Sequence, residues 1–319
     1  MGGMKGFVAV TDGDWFELLS QQPDLDEVNF WQPGGNRRFT TLEPGELFLF
    51  KLHSPNNFVV GGGFFAHSTI IPISLAWEAF GISNGATTLA EMRTRVEKYR
   101  REPTNPTANY NVGCILLQKP FFLPRDKWIP IPSDWKPNIV QGKTYDLEQE
   151  PGRAMWLELQ QSLAARDVDA PAPMPETGES YVAEEPARYG APALVMPRLG
   201  QGSFRVVVTD AYERRCAITR ERTLPVLQAA HIKPYGEGGS HSVTNGLLLR
   251  SDIHTLFDRG YVTVTPEYRF EVSRRIRDEF ENGRDYYALH GHEVTIPERD
   301  AFRPAVEALR WHNEARFLG

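Results

Sequence analysis

The sequence contains few cysteines and no long apolar segment. Its 319 residues include two cysteines, Cys114 and Cys216, which are too few for a disulfide framework or a four-cysteine zinc site. No run approaches the roughly 18 apolar residues of a membrane-spanning helix, and the apolar residues 7–10 are too few for the core of a signal peptide. These absences exclude a disulfide-stabilised secreted domain and a membrane protein. We therefore expect a cytoplasmic protein without a membrane partner.

Positive charge is also scarce in the chain as a whole. It has 35 Lys and Arg against 41 Asp and Glu, a net charge of −6, which argues against general affinity for polyanions. The acidic excess lies before residue 204, because residues 204–319 contain 17 basic and 17 acidic side chains together with six of the eight histidines. This neutral, Arg-rich and His-rich third of the chain is compatible with phosphate contact.

The remaining composition is that of a globular protein, with 41% apolar and 24% charged residues, and its length predicts two domains. Residues 5–146 contain short apolar runs bounded by turn residues, a pattern typical of strands. Helix-start signals interrupt these runs at Thr11, Ser74 and Thr88. The pattern predicts an α+β protein that begins with a barrel-like β domain over residues 1–150.

A proline-rich segment follows this predicted domain. Residues 155–165 read as a helix, and residues 167–197 contain six prolines among Ala, Glu and Gly. A segment with so few large apolar side chains cannot bury enough surface to offset the entropy lost on folding. We therefore predict a helix and linker over residues 151–197 and a second domain over residues 198–319. Within the second domain, the run FRVVV at residues 204–208 predicts a strand.

The second predicted domain carries an ordered set of residues that can support hydrolysis. A short apolar strand leads to His231, and Asn245 lies between this histidine and the sequence His254-Thr-Leu-Phe-Asp258. Residues 254 and 258 are four apart in a predicted helix, so their side chains share one face and can hold one divalent cation. Phosphodiester hydrolysis needs a base for water and a cation beside the phosphate. His231 suits the first task, and Asn245 suits the fixing of a loop or an imidazole tautomer.

The same segment resembles the HNH nucleases, in the branch of predicted restriction endonucleases. The resemblance covers about residues 198–265 and is carried by Cys-x-x-Thr, Ala-His-Ile-x-Pro, Asn-Gly-Leu and His-x-x-x-Phe-Asp-x-Gly, in that order. It implies a ββα-metal finger in which His231 is the general base, Asn245 is the structural asparagine of the catalytic site, and His254 binds one Mg²⁺ or Mn²⁺ ion. Asp258 is the candidate second ligand, and its alternative role is to cap a turn.

Two departures from the family pattern affect these expectations. Many HNH proteins carry Asp or His before the base as a metal ligand, whereas this chain has Ala230. Many also hold a structural zinc between paired cysteines, whereas Cys216 has no partner. The resemblance therefore implies that the catalytic cation is held differently and that hydrophobic packing replaces a structural zinc. His241 lies in a Gly–Ser loop and is expected to be solvated.

Three arginines are candidates for contact with DNA. Arg274 and Arg275 follow a predicted strand, and Arg205 lies near a glycine turn. Their guanidinium groups suit phosphate contact beside an active site. The alternative is an ordinary solvated face on which these arginines pair with acidic neighbours.

The first predicted domain interleaves aromatic residues with amides and glycines. Trp31, Asn29 and Trp77 offer the aromatic walls and hydrogen-bonding groups that a pocket for an extruded base requires. Packing in the core is their alternative role. The pattern of strand, helix, Gly-rich strand and Trp-x-x-Phe-Gly helix also resembles the PUA-like superfamily, which includes the EVE and SRA readers of modified bases. That resemblance implies a barrel with a base pocket, here for a modified cytosine.

These observations predict a metal-dependent endonuclease that restricts modified double-stranded DNA, with a homodimer as the route to double-strand cleavage. Two alternatives stay open. One is an HNH effector or toxin nuclease whose first domain is a sensor, which would cleave modified and unmodified DNA at equal rates. The other is a catalytically inactive DNA-binding protein, which would bind DNA without cleaving it.

Overall fold

The computed structural model describes residues 4–100, 105, 108–169 and 199–319, and these divide into two compact units. The N-terminal unit consists of the described residues of Met1–Ser68, Ile82–Pro103 and Gly113–Pro197, and the C-terminal unit of those of Thr69–Gly81, Thr104–Val112 and Arg198–Gly319. The predicted α+β class is confirmed. No helix in the described part of the chain is long and apolar enough to cross a membrane.

A mixed sheet forms most of the first half of the chain. The strands and helices of this half are β1 (Lys5–Thr11), α1 (Gly13–Ser20), β2 (Glu27–Gln32), β3 (Leu47–Leu52), β4 (Phe58–Pro72), α2 (Ile73–Phe80), α3 (Leu89–Glu97), β5 (Asn111–Phe122), β6 (Ile129–Pro130), β7 (Gly142–Asp146) and α4 (Gly152–Asp169). The strand order is β2-β5-β4-β3-β1-β7, with β6 paired to β4. Strands β1 and β3 are parallel. Among the described residues no ladder joins the edge strands β2 and β7, so no closed barrel is formed.

The core of the N-terminal unit lies on the central strands. All six residues of β3 are buried, and this strand pairs with β1 on one side and β4 on the other. Phe50 packs edge to face on Trp15 of α1, with ring centroids 5.0 Å apart. The buried Lys51 is accommodated because its Nζ donates to Leu52 O and to Asn57 Oδ1, and burial lowers its pKa.

The three predicted helix-start signals can be compared with the caps observed. The prediction for Ser74 is wrong, because α2 begins at Ile73 with Pro72 at the N-cap and no side-chain cap. Thr88 caps α3 as predicted, since its hydroxyl accepts a hydrogen bond from Glu91 N. Helix α1 is capped by Asp12, whose carboxylate accepts from Trp15 N, and not by Thr11. Thr11 is still part of β1, where it pairs with Leu52, and its hydroxyl donates to Ala9 O. The strand therefore continues one residue further than the capping pattern predicts.

The C-terminal unit contains two small hairpins surrounded by helices. Its elements from residue 199 onward are α5 (Gln201–Ala211), β8 (Leu227–His231), β9 (Gly246–Arg250), α6 (Ser251–Asp258), β10 (Val262–Val264), β11 (Phe270–Val272), α7 (Arg275–Phe280), α8 (Arg284–Tyr287) and α9 (Val306–Ala315). Strands β8 and β9 are antiparallel, with His231 opposite Gly246. Helix α6 follows β9 without a linker, which gives the strand–strand–helix order that the HNH resemblance implies.

The strand predicted at residues 204–208 is wrong, because these residues lie in helix α5. Phe204, Val206, Val207 and Val208 are all at most 5% exposed. The helix packs on β8 and β9 and also on α2, where Gly202 lies directly against Ala79 O. A helix covered on more than one side reads as a continuous apolar run, which local periodicity cannot distinguish from a buried strand.

The predicted linker lies largely outside the described residues. Helix α4 contains the predicted helix 155–165 and extends it to Asp169. Residues 170–198, which include the six prolines, lie outside the described part of the chain. The domain boundaries at residues 150 and 198 remain predictions, whereas the described contacts group Thr69–Gly81 with the C-terminal unit.

Candidate active site

Strand β8 and helix α6 carry the histidines expected to perform the chemistry. His231 is the last residue of β8, and Asn245 immediately precedes β9. His254 and Asp258 lie on α6, the second of them at its end. The backbone positions of these four residues are therefore determined by the antiparallel pairing of β8 with β9 and by the direct passage from β9 into α6.

The imidazole of His231 is half-buried and held on two sides. Its ring stacks on Phe204 of α5, with centroids 3.9 Å apart and planes within 11°. Its Nε2 lies 2.9 Å from Nδ1 of His241. Burial, followed by the charges of His241 and His254, lowers the pKa of His231 to about 4. His231 is therefore neutral at pH 7, the form that can accept a proton from water.

His241 was expected to be solvated, and that expectation is wrong. The side chain is half-buried between two rings, His231 and Tyr235. The Tyr235 ring stacks on it with centroids 4.6 Å apart and planes within 9°. The surrounding Gly and Ser residues indicated an exposed loop, and no spacing pattern links residue 241 to residue 231. The contact exists only because the loop folds back over the end of β8.

Asn245 ties the two ends of this loop together. The side chain is 6% exposed, and its Oδ1 accepts from Lys233 N at 2.9 Å. Its Nδ2 donates to Lys233 O at 2.8 Å and to Ser240 O at 2.9 Å. All the hydrogen-bonding capacity seen for this amide is thus directed at the loop backbone. The catalytic assignment of Asn245 stays a prediction, and its contacts are those of a residue that fixes the loop.

His254 and Asp258 form a pair that suits a cation. Nε2 of His254 lies 3.3 Å from Oδ2 of Asp258, and Nδ1 of His254 donates to Oε1 of Gln228 at 2.7 Å. Because Nδ1 carries the proton, the lone pair of Nε2 faces the carboxylate. Burial lowers the pKa of His254, opposed by the charge of Asp258, so the ring is neutral at pH 7 and available as a ligand.

The Asp258 carboxylate suits a cation such as Mg²⁺ or Mn²⁺, and the His254 imidazole suits transition-metal ions such as Ni²⁺ or Zn²⁺, so the pair fits a divalent metal ion. Among residues 4–100, 105, 108–169 and 199–319, no group of three or more His, Cys, Asp or Glu side chains is close enough together to hold a metal ion. His254 and Asp258 would therefore supply two ligands, and water and phosphate oxygens the others. Gln228 was missed by the sequence analysis, and the only available signal was its position on the strand that leads to His231.

Residues 216–265 match the HNH endonuclease family model. The resemblance predicted from the motif order is thereby confirmed for this part of the chain, which we call the HNH segment. No curated protein matches the chain.

Solved structures show weaker likenesses. A crystal structure of ASCH from Zymomonas mobilis has a TM-score of 0.33 and 9% identity, covering 48% of this chain and 94% of that one. The modification-dependent TagI restriction endonuclease has a TM-score of 0.27 and 14% identity, covering 97% of this chain and 81% of that one. Both TM-scores are below 0.5, so a function has to be inferred from the HNH segment and its geometry.

The two residues at which the HNH segment departs from the family pattern, Ala230 and Cys216, are both buried. Ala230 is fully buried, and because side chains alternate along a strand it faces the side of β8 opposite to His231. Cys216 is also fully buried, and its sulfur accepts from Thr219 N at 3.5 Å and from Arg250 N at 3.3 Å. The single thiol therefore joins the start of the HNH segment to the end of β9 by hydrogen bonds.

The three candidate DNA-contacting arginines differ in their surroundings. Arg205 forms an ion pair with Glu78, at 2.9 Å. Arg275 donates from Nε to Glu279, at 2.6 Å. Arg274 is exposed, and within the described ranges its guanidinium has no acidic partner. Their role in DNA binding stays a prediction, and among these three described arginines Arg274 is the one whose charge is not paired with a carboxylate.

The three residues proposed to recognise a base do not lie together in one unit. Asn29 is fully buried, and its Nδ2 donates to Asn84 Oδ1 and to Cys114 Sγ. Trp31 is 8% exposed and donates from Nε1 to Asn84 O at 3.1 Å. Trp77 belongs to α2 and therefore to the C-terminal unit, whereas the other two belong to the N-terminal unit. Their recognition role stays a prediction.

An exposed aromatic cluster lies next to Trp31. The Tyr99 ring is 6.3 Å from the Trp31 ring, and the His53 ring lies 6.0 Å from Tyr99 with planes within 4°. The hydroxyl of Tyr99 donates to the buried Asp12 at 2.6 Å. Tyr99 is 36% exposed, so this cluster can meet a ligand that the buried Asn29 cannot reach directly.

Proposed function

We propose that the protein is a metal-dependent DNA endonuclease whose active site lies in the HNH segment. The observation that carries the proposal is the placement of a neutral His231 at the end of β8 together with the His254–Asp258 pair on α6, within residues that match HNH endonucleases. Phosphodiester hydrolysis requires a base that deprotonates water and a cation beside the phosphate, for which His254 and Asp258 are the ligand pair.

In the proposed reaction, His231 takes a proton from a water molecule, whose oxygen attacks the phosphorus in line with the departing 3′ oxygen. A cation held by His254 and Asp258 would offset charge on the phosphate and on the leaving oxygen. Gln228 fixes the tautomer of His254 through its hydrogen bond. Asn245 keeps the loop closed beside His231.

A nicking assay on supercoiled plasmid tests the proposal. Wild type should nick the plasmid with Mg²⁺ or Mn²⁺ and lose activity with a chelator. His231→Ala should be slower by about 100-fold or more, the usual contribution of a general base. His254→Ala should need more metal for half-maximal activity. The exposed His292 of the same unit provides a matched control, and His292→Ala should match wild type.

Two outcomes would contradict the proposal. If wild type binds DNA but fails to nick it in the presence of any of Mg²⁺, Mn²⁺, Co²⁺ and Ni²⁺, the chain is a binding protein. If His231→Ala nicks as fast as wild type, another residue supplies the base.

We also propose that the N-terminal unit reads a modified cytosine at the aromatic cluster of Trp31, Tyr99 and His53. The exposed rings of Tyr99 and His53, next to the buried Trp31 ring and the buried Asp12 carboxylate, supply stacking surfaces and a hydrogen-bond acceptor, as an extruded base requires. The same assay run on unmodified, methylated, hydroxymethylated and glucosylated DNA tests this. Tyr99→Ala should remove the preference for modified DNA and leave His231-dependent nicking. Equal cleavage of all four substrates by wild type would favour a sensor that recognises something other than DNA.

A further inference from the structure

A second histidine touches the proposed base, and the function proposed above gives it no role. His231 and His241 share one hydrogen bond, in which Nε2 of the first lies 2.9 Å from Nδ1 of the second. We infer that His241 is a positioning residue that holds His231 in the one neutral tautomer able to take a proton from water. This inference rests on the proposed nuclease function.

The direction of the hydrogen bond decides what His231 can do. A neutral imidazole carries one proton, on either Nδ1 or Nε2. If His231 donates from Nε2, its Nδ1 keeps a lone pair. If His241 donates instead, the proton of His231 must lie on Nδ1, and no lone pair is left for water. Within the described ranges Nδ1 of His231 has no hydrogen-bond partner, so it is the atom left to accept a proton.

The loop between β8 and β9 is built to keep His241 in place. Asn245 binds the loop backbone at both ends, on Lys233 and Ser240. Gly239 donates from its N to Pro234 O at 3.0 Å, and a Cβ at this position would overlap Lys233 O. Tyr235 stacks on one face of the His241 ring. These contacts hold the acceptor nitrogen of His241 against His231 before any substrate binds.

The same bond assists the proton transfer itself. As His231 Nδ1 takes the proton, an O–H bond of water breaks, and the oxygen uses the freed electron pair to form its bond to phosphorus while the P–O3′ bond breaks. His231 becomes an imidazolium whose Nε2–H still donates to His241. The proton stays on His231, and the neutral His241 ring stabilises the new charge by accepting a stronger, charge-assisted hydrogen bond.

The tautomer can be measured without any substrate. Long-range ¹H–¹⁵N spectra of the full chain at neutral pH distinguish Nδ1–H from Nε2–H imidazoles, and the His231 signals are identified by their loss in His231→Gln. Wild type should show His231 with the proton on Nε2. His241→Leu removes the acceptor at similar size and should give a mixture of tautomers. In His241→Asn the amide oxygen can take the place of Nδ1 and should restore the Nε2–H form.

Nicking rates give the second readout. His241→Leu should lower kcat by about 30-fold or more while KM changes less than about 3-fold, because only the base is misaligned. His241→Asn should recover most of the loss, and His292→Leu should match wild type. Circular dichroism identifies any variant that fails to fold, and the comparison then rests on wild type and His241→Asn.

The two hypotheses fail in different ways. A wild-type His231 with its proton on Nδ1, or unchanged tautomer and kcat in His241→Leu, would overturn the role of His241 while nuclease activity persists. Absence of nicking in wild type would overturn the proposed function, and the spectra would still report whether His241 sets the tautomer.

Discussion

His312 is buried within the C-terminal unit, where its protonation is tied to folding. The side chain is 2% exposed and stacks on Phe257 with centroids 3.7 Å apart. Since a carbonyl only accepts, Nε2 donates to Phe257 O at 3.1 Å, and Nδ1 accepts from the Thr263 hydroxyl at 2.8 Å. Both nitrogens are used by the neutral ring, and burial lowers the pKa of His312 to about 4.

The stability of the protein should therefore fall in mild acid. Above pH 6.5 His312 is neutral in both the folded and the unfolded chain. Between pH 6.5 and about 4 the unfolded chain binds a proton that the folded chain does not, so the free energy of unfolding decreases as pH falls. The loss attributable to His312 is about 3 kcal/mol across that range.

Urea unfolding of wild type and His312→Gln at several pH values checks this prediction. His231 also has a lowered pKa and contributes in the same direction, but it is present in both proteins. The difference between the two slopes therefore isolates residue 312. Identical slopes would show that His312 is protonated equally in the folded and unfolded states.

At the scale of elements, helix α5 and the β8–β9 hairpin are fitted together through one glycine. Gly246 is extended, with φ −124° and ψ 142°, so the Asn245-Gly246 pair is not used here for a left-handed turn. A Cβ at residue 246 would lie 2.5 Å from Val208 Cγ2 and 3.1 Å from the Phe204 ring. The missing side chain allows α5 to approach the hairpin and Phe204 to reach His231.

Gly246→Ala should destabilise the C-terminal unit by roughly 1–3 kcal/mol, the usual cost of overpacking a core. The backbone conformation is one that alanine adopts freely, so the effect should come from packing alone. Chemical denaturation measures it. Gly236→Ala is the matched control, since a Cβ there meets nothing within 4 Å, and its effect should be below about 0.5 kcal/mol. Equal effects of the two substitutions would count against the packing explanation.

At the scale of the whole molecule, each unit is assembled from separate parts of the chain. Helix α2, from the first quarter of the sequence, contacts α5 in the C-terminal unit. Phe80 of α2 is 6% exposed and lies beside Gly202. Glu78 of α2 pairs with Arg205. The unit that carries the HNH segment is thus held together by contacts between distant parts of the chain, such as the Glu78–Arg205 pair across 127 positions.

Phe80→Ala in the full chain should therefore weaken α5 and leave the N-terminal sheet unchanged. We expect the opening free energy of α5 amides to fall by about 2–4 kcal/mol in hydrogen exchange, with β3 amides unaffected. Ile82→Ala, at a position 38% exposed and in the N-terminal unit, should leave α5 unchanged. An equal loss of protection in α5 and β3 would mean that the two units unfold together.

The sequence by itself determined the features that depend on near neighbours in the chain. The short strands within residues 5–146, the cap at Thr88 and the i, i+4 pair of His254 and Asp258 follow from periodicity and spacing within a few residues. His231 was placed at a strand end for the same reason. The HNH segment was then identified from the order of four short motifs, each of which is itself a local feature of the sequence.

Only the tertiary structure decided which distant residues meet. The bond between His231 and His241, the orientation of His254 by Gln228 and the helical state of residues 204–208 all depend on surfaces contributed by other elements. The grouping of α2 with the C-terminal unit depends on contacts between residues still further apart in the sequence. A local pattern fixes backbone conformation and the face on which a side chain lies, whereas its partner across the fold is chosen by the packing of the folded chain as a whole.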